Sequence, residues 1–171
     1  MTFIELMVVI AILGISLTII TVNFANAIRR YRLESYIQGL AAAIKNSQTQ
    51  AMSEGRRVVI AVVKKGSTAK DLDGNGTMEH YITFVDTNIN GRYDAGDLSL
   101  ERGNWGNVTV GTNTLPFDYG AGADARYFFF LPQGLARMAN DGVIEIKYND
   151  KLGHRMRIIS MLGAVETEKI R

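Results

Sequence analysis

Residues Leu6 to Phe24 carry no charged side chain, and only Gly14, Ser16, Thr18, Thr21 and Asn23 interrupt the hydrocarbon. A helix over this run rises roughly 28 Å at 1.5 Å per residue, about the thickness of a bilayer core. A cleavable signal peptide fits poorly, because no basic residue precedes the run and no small-x-small cleavage site follows it. The segment therefore predicts an apolar helix that water cannot cover. An ordinary membrane anchor would satisfy the run as well, but it leaves Glu5 unexplained. A carboxylate in hydrocarbon costs several kcal/mol unless a partner neutralises it. No Lys, Arg or His lies within a helical turn of Glu5. One nearby positive group is the α-amine of residue 1, from the same chain or from a neighbouring copy.

Beyond the run, Leu33, Ile37, Leu40, Ala41, Ile44, Ala51 and Met52 fall at helical i, i+3, i+4 and i+7 steps, with Gln48 the polar exception on the stripe. No proline precedes Pro116, and Gly55 is a natural C-terminal stop. The pattern predicts one helix of about 50 residues; a break between Asn23 and Ala27 would divide it into two. Residues 1–24 form its apolar half, 25–55 its amphipathic half and 56–171 a globular head. In the head the period changes to that of strands, at Arg57–Val63, His80–Asp86, Arg126–Leu131, Gly142–Tyr148, Arg155–Ser160 and Ala164–Ile170. Trp105 to Asp124 is rich in Gly, Asn and Thr and reads as loops with a short strand at Val108–Val110. A long helix followed by antiparallel strands is an α+β arrangement.

The start of the chain, Met1-Thr-Phe-Ile-Glu5-Leu-Met-Val-Val-Ile-Ala-Ile-Leu-Gly14-Ile, resembles mature type IV pilins and type II secretion pseudopilins. Phe128-Phe-Phe-x-x-x-Gly134, Gly142-x-Ile144-x-Ile146 and Arg157-Ile-Ile-Ser-x-x-Gly163-x-Val165 are similar to the GspH/FimT branch, whose head is sandwich-like. The resemblance implies a role for two residues in processing and assembly: Met1 as the N-methylated terminus left by a prepilin peptidase, and Glu5 as the partner of an adjacent subunit's amine. Residue 1 is Met rather than Phe, and Val22 stands where many members have a kinking Pro. The resemblance further implies a structural subunit of the minor kind. It would be held in the inner membrane by one span with a periplasmic head, then packed among homologous subunits in a helical pseudopilus or pilus. A separate cytoplasmic ATPase would drive assembly.

The head divides its charge unevenly. From Asp71 to Glu101 there are seven acidic residues and one basic, Arg92, so the stretch repels itself unless a cation or basic partner lies nearby. Within it, Asp86-Thr-Asn88-Ile-Asn90-Gly91-Arg92-Tyr-Asp94-Ala-Gly-Asp97 places oxygens at positions 1, 3, 5, 9 and 12, Gly at 6 and the Arg92 carbonyl at 7, the spacing of a calcium-wrapping loop. Asp71, Asp73, Asn75, Thr77 and Glu79 repeat the pattern but lack its final acid, since position 12 is Ile82. Asp, Asn and Gly also build turns that hold no ion. No cofactor is required, and calcium is the one ion the loops suggest.

Nothing reads as catalytic. His80 and His154 lie in no nucleophile or metal motif and are expected on the surface, and phosphate-loop, nucleophile-elbow and zincin patterns are absent. A second reading is a minor pilin that binds DNA through Arg155, Arg157, Lys169 and Arg171. Glu145, Asp150, Glu166 and Glu168 interleave these bases, which argues for a mixed-charge surface rather than a nucleic-acid partner.

Overall fold

The computed structural model describes residues 2–119, 125–138, 140–148 and 152–170, with side chains for all of these except 17–23, 26 and 152. Helix α1 runs without a break from Phe3 to Glu54, 52 residues, and ends at Gly55, whose φ of 63° takes the left-handed turn that a side chain would resist. Among the described residues the strands are β1 (Val58–Val63), β2 (Tyr81–Val85), β3 (Leu98–Gly103), β4 (Thr109–Asn113), β5 (Phe117–Tyr119), β6 (Ala125–Phe130), β7 (Ala136–Arg137), β8 (Gly142–Tyr148), β9 (Leu152–Ile158) and β10 (Val165–Ile170).

They form two antiparallel sheets, ordered β3-β2-β1-β6-β5 with β7 added to β6, and β10-β9-β8-β4. Strand β1 lies between β2 and β6, and all six of its residues are buried. That is why Val58-Val-Ile-Ala-Val-Val63 is apolar throughout instead of alternating: neither face meets water. The inner half of α1 packs on β1 and reaches both sheets. Leu33, Ile37, Leu40, Ile44 and Ala51 join Ile60, Phe84, Phe128, Ile144, Ile146 and Met156 in one core. Each fully buried Leu or Ile contributes roughly 1.5–3 kcal/mol. Asn113, on β4, ties the sheets together: its side-chain amide donates to the carbonyls of Val62 and Val63, both at 3.0 Å.

The expected strands at Arg57–Val63, His80–Asp86, Arg126–Leu131, Gly142–Tyr148 and Ala164–Ile170 match β1, β2, β6, β8 and β10 to within a residue or two. The other five differ: β5 and β7, of three and two residues, answer to no expected strand, and β9, β4 and β3 depart as follows. The strand expected at Arg155–Ser160 starts at Leu152, because pairing with β8 continues to Tyr148↔Leu152. The short strand at Val108–Val110 is the start of β4 and extends to Asn113 through a bulge opposite β8. Strand β3 lies inside the acidic stretch, where Leu98-Ser-Leu-Glu-Arg-Gly103 gives little alternation; it forms an edge whose Glu101 accepts a 2.8 Å hydrogen bond from the Tyr81 hydroxyl.

Candidate functional site

Three regions of the molecule carry the residues singled out above: the free end of α1, a pair of acidic loops, and the outer face of the second sheet.

At the helix start, Thr2 is the N-cap. The Glu5 amide donates to Thr2 Oγ1 at 3.4 Å, and the Thr2 amide donates to Glu5 Oε2 at 2.6 Å. This reciprocal pair satisfies two of the free amides at the helix N-terminus and sets a negative charge at the positive end of its dipole. Among the described residues no Lys, Arg or His pairs with Glu5. Met1 lies outside the described residues. Beyond the cap, Phe3, Ile4, Leu6, Met7, Val8, Val9, Ile10, Ile12, Leu13 and Ile15 are all exposed, Phe3 by 78%, and so is Phe24, by 66%. Among the described residues no helix is long and apolar enough to cross a membrane; the Leu6–Phe24 run passes through residues 17–23, whose side chains lie outside the description.

Further along α1, Gln48 explains the polar break in the apolar stripe. Its amide donates to the carbonyls of Gly134 at 2.8 Å and Leu162 at 3.0 Å, so it clamps the helix to two turns of the head. Of the other stripe positions, Met52 is exposed and Ala41 half-buried, while Ala43 and Ser47 turn inward.

The two acidic loops share one internal pattern. Asp71 Oδ2 accepts from the Gly76 amide at 3.0 Å, and Asp86 Oδ2 accepts from the Gly91 amide at 2.9 Å. Asp73 and Asn88 each accept from the amide two residues on, as do Asn75 and Asn90, the latter two from Thr77 and Arg92. Gly76 and Gly91 have φ of 84° and 76°, and a Cβ on Gly91 would come within 2.3 Å of the Tyr127 hydroxyl. Tyr119 joins the loops: its hydroxyl donates to the Leu72 carbonyl at 2.9 Å and accepts from the Tyr93 amide at 3.1 Å. Burial foremost, with the charges of Asp73, Asp94 and Asp97, raises its pKa to about 12.

The loops differ in how their carboxylates are met. In 86–97, Asp86 pairs with Arg57 at 2.8 Å, beneath a guanidinium stacked 3.9 Å from the Phe129 ring centre. Asp97 accepts from the amides of Thr87 and Asp94. Asp94 accepts from the side-chain amides of Asn88 and Asn90, which together hold its pKa below the usual carboxylate range. In 71–79, by contrast, one carboxylate oxygen from each of Asp71, Asp73 and Glu79 lies within 4.8 Å of the others, the one such three-acid group among the described residues. Burial raises the Glu79 pKa, and the charges of Asp73 and Asp71 add to that. Arg102 meets Asp73 at 2.6 Å. The acidic stretch thus finds its cations just outside its own limits, at Arg57 and Arg102, positions that a charge count from Asp71 to Glu101 passes over.

On the second sheet the bases proposed for DNA are largely neutralised. Arg155 pairs with Glu145 at 2.7 Å and Glu168 at 3.8 Å, Arg157 with Asp141 at 2.7 Å and Lys169 with Glu34 at 3.3 Å. The Ser160 amide first, then Arg157, holds the Asp141 pKa low. Arg171 lies outside the described residues. Both histidines are buried rather than at the surface. His80 stacks on Trp105, accepts from the Trp105 amide at Nδ1 and places Nε2 2.9 Å from the Val108 carbonyl, an arrangement that needs the neutral ring protonated on Nε2.

The profile of the GspH family, Type II transport protein GspH, matches residues 37–163. The chain belongs to the GspH family. The match covers the inner half of α1 and nearly all of the head, including both acidic loops. Two crystal structures of the type IV minor pilin FimU from Pseudomonas aeruginosa strain PAO1 share the fold. One has a TM-score of 0.53 at 18% identity, covering 82% of this chain and 90% of that one. The other has 0.51 at 19% identity, covering 80% and 92%. No curated protein matches the chain. This GspH-family chain therefore has a minor-pilin fold, with a helix whose large apolar residues from Phe3 to Ile15 are exposed.

Proposed function

We propose that the chain is a structural subunit of the minor kind, built into a type IV pilus or a type II secretion pseudopilus through its N-terminal helix. Family and fold support a filament subunit. The observation that carries the reading is the outer half of α1: an exposed hydrocarbon surface that begins with an acid which, among the described residues, is held by its own cap and pairs with no cation. Such a surface needs cover, and the helices of neighbouring subunits supply it at roughly 25 cal/mol per Å². Once Glu5 is enclosed, its charge needs a counter-charge. In this reading the amino terminus of the adjacent subunit provides it, so that a helix in the wrong register leaves a carboxylate buried and unpaired. Before assembly the inner-membrane lipid covers the same apolar run, with the head in the periplasm. A cytoplasmic ATPase acts on the filament base without touching the head.

The test replaces the acid with its neutral isostere. In cells that assemble the filament, Glu5→Gln is compared with the wild type in the sheared or detergent-resistant filament fraction. Incorporation falls about tenfold or more, the scale of leaving one buried charge unpaired, while the amount of protein in the membrane is unchanged. Equal incorporation of both proteins contradicts the proposal.

A further inference from the structure

We infer that Asp71, Asp73 and Glu79 hold a calcium ion that braces the 71–79 loop, a site separate from the helix contacts and independent of the filament reading. Three carboxylate oxygens within 4.8 Å of one another fit a single ion, since two oxygens sharing one calcium lie no more than about 5 Å apart. An acidic cluster alone would not suffice. The independent sign is Glu79. The residue is 2% exposed; Oε2 accepts from the Leu72 amide at 3.1 Å, but Oε1 is buried with no donor among the described residues. An ionised oxygen without a donor is costly, and a cation is what removes that cost.

The surroundings are built for it. The loop is closed at its ends by paired backbone bonds between Lys70 and Glu79, at 2.8 and 2.7 Å. Its amides already orient Asp71 and Asp73 through Gly74, Gly76 and Asn75. The Asp73 side chain is fully buried, and Arg102 is the one cation paired with these three acids among the described residues. One guanidinium against three carboxylates leaves charge for a divalent ion to balance. The ligands are hard oxygens, which suits calcium and excludes ions that prefer nitrogen or sulfur. Loop 86–97 lacks the corresponding sign, because among the described residues each of its carboxylates already has donors.

The experiment uses the full chain in detergent, stripped of metal with a chelator, titrated with calcium chloride by calorimetry and followed in parallel by thermal unfolding. Calcium releases saturable heat and raises Tm. Glu79→Gln, which keeps the shape of the side chain and removes its charge, weakens binding about tenfold or more and abolishes the Tm rise. Asp71→Asn, at an exposed position, weakens binding as well, and this separates loss of a ligand from misfolding. Asp97→Asn leaves the response intact. If the wild type shows no response, or if Asp97→Asn removes it while Glu79→Gln does not, the inference is overturned.

Discussion

Between Leu33 and Ala51, α1 buries one stripe of apolar side chains against two sheets, and polar residues cover its other faces. Between Leu6 and Ile15 the same helix carries no charge, and its large apolar side chains are exposed. The inner half behaves as an ordinary amphipathic helix, complete within one chain. The outer half is hydrophobic all round, a pattern that is stable only when other apolar matter encloses it. One unbroken helix therefore obeys two solvents. The inner half contributes to the core of the head, and among the described residues the outer half does not.

Substitutions should separate the halves. The largest effect is expected at Ile44, fully buried in the core: Ile44→Ala costs about 2–5 kcal/mol of head stability, read by denaturant unfolding, whereas Ile10→Ala shifts the same curve by nothing measurable. Next comes Gln48→Ala, which strands the carbonyls of Gly134 and Leu162 and lowers stability by about 2 kcal/mol. At the far end, Thr2→Ala removes the cap and costs about 1 kcal/mol locally. It appears as faster amide exchange at Glu5 with no change in head unfolding; a matching loss in the head would mean that the two halves are coupled. The smallest effect concerns acid. Burial holds the pKa values of His80 and His154 below the ordinary histidine value. The unfolded chain then binds more protons, so stability is full above about pH 6.5 and declines as pH falls toward the folded values. Thermal unfolding between pH 7.5 and 5 should show that decline, and a flat profile would contradict the neutral, buried ring of His80.

Much of this division is written in the sequence. The charge-free run and the i, i+3, i+4 stripe locate both halves of α1, and Gly55 marks its end, because helix periodicity and capping are local properties. The fully apolar β1 and the alternating β8 are legible for the same reason. What escapes is what depends on distant partners. Strand β3 takes its identity from pairing with β2 and not from its own alternation. Tyr119 sits on a three-residue strand in a Gly- and Asn-rich stretch, and no local signal marks it as the tie between two acidic loops. The sequence ranks loop 86–97 above 71–79 on the count of oxygens. It cannot show that Arg57 reaches into the first loop or that one oxygen of Glu79, Oε1, is buried without a donor among the described residues in the second. The histidines illustrate the same limit: nothing near them in sequence indicates burial, which comes from Trp105 for His80 and from the second sheet for His154.

What lies against the outer half of α1 in the assembled state decides whether this helix packs in a filament. A photo-crosslinking benzophenone side chain placed at position 10 reports that neighbour in living cells. It should join the chain to other pilin-type subunits when the assembly system is active, and to none of them when Glu5→Ala is present. Crosslinks that form equally with Glu5→Ala, or that never include another subunit, would show that the exposed helix serves some purpose other than filament packing.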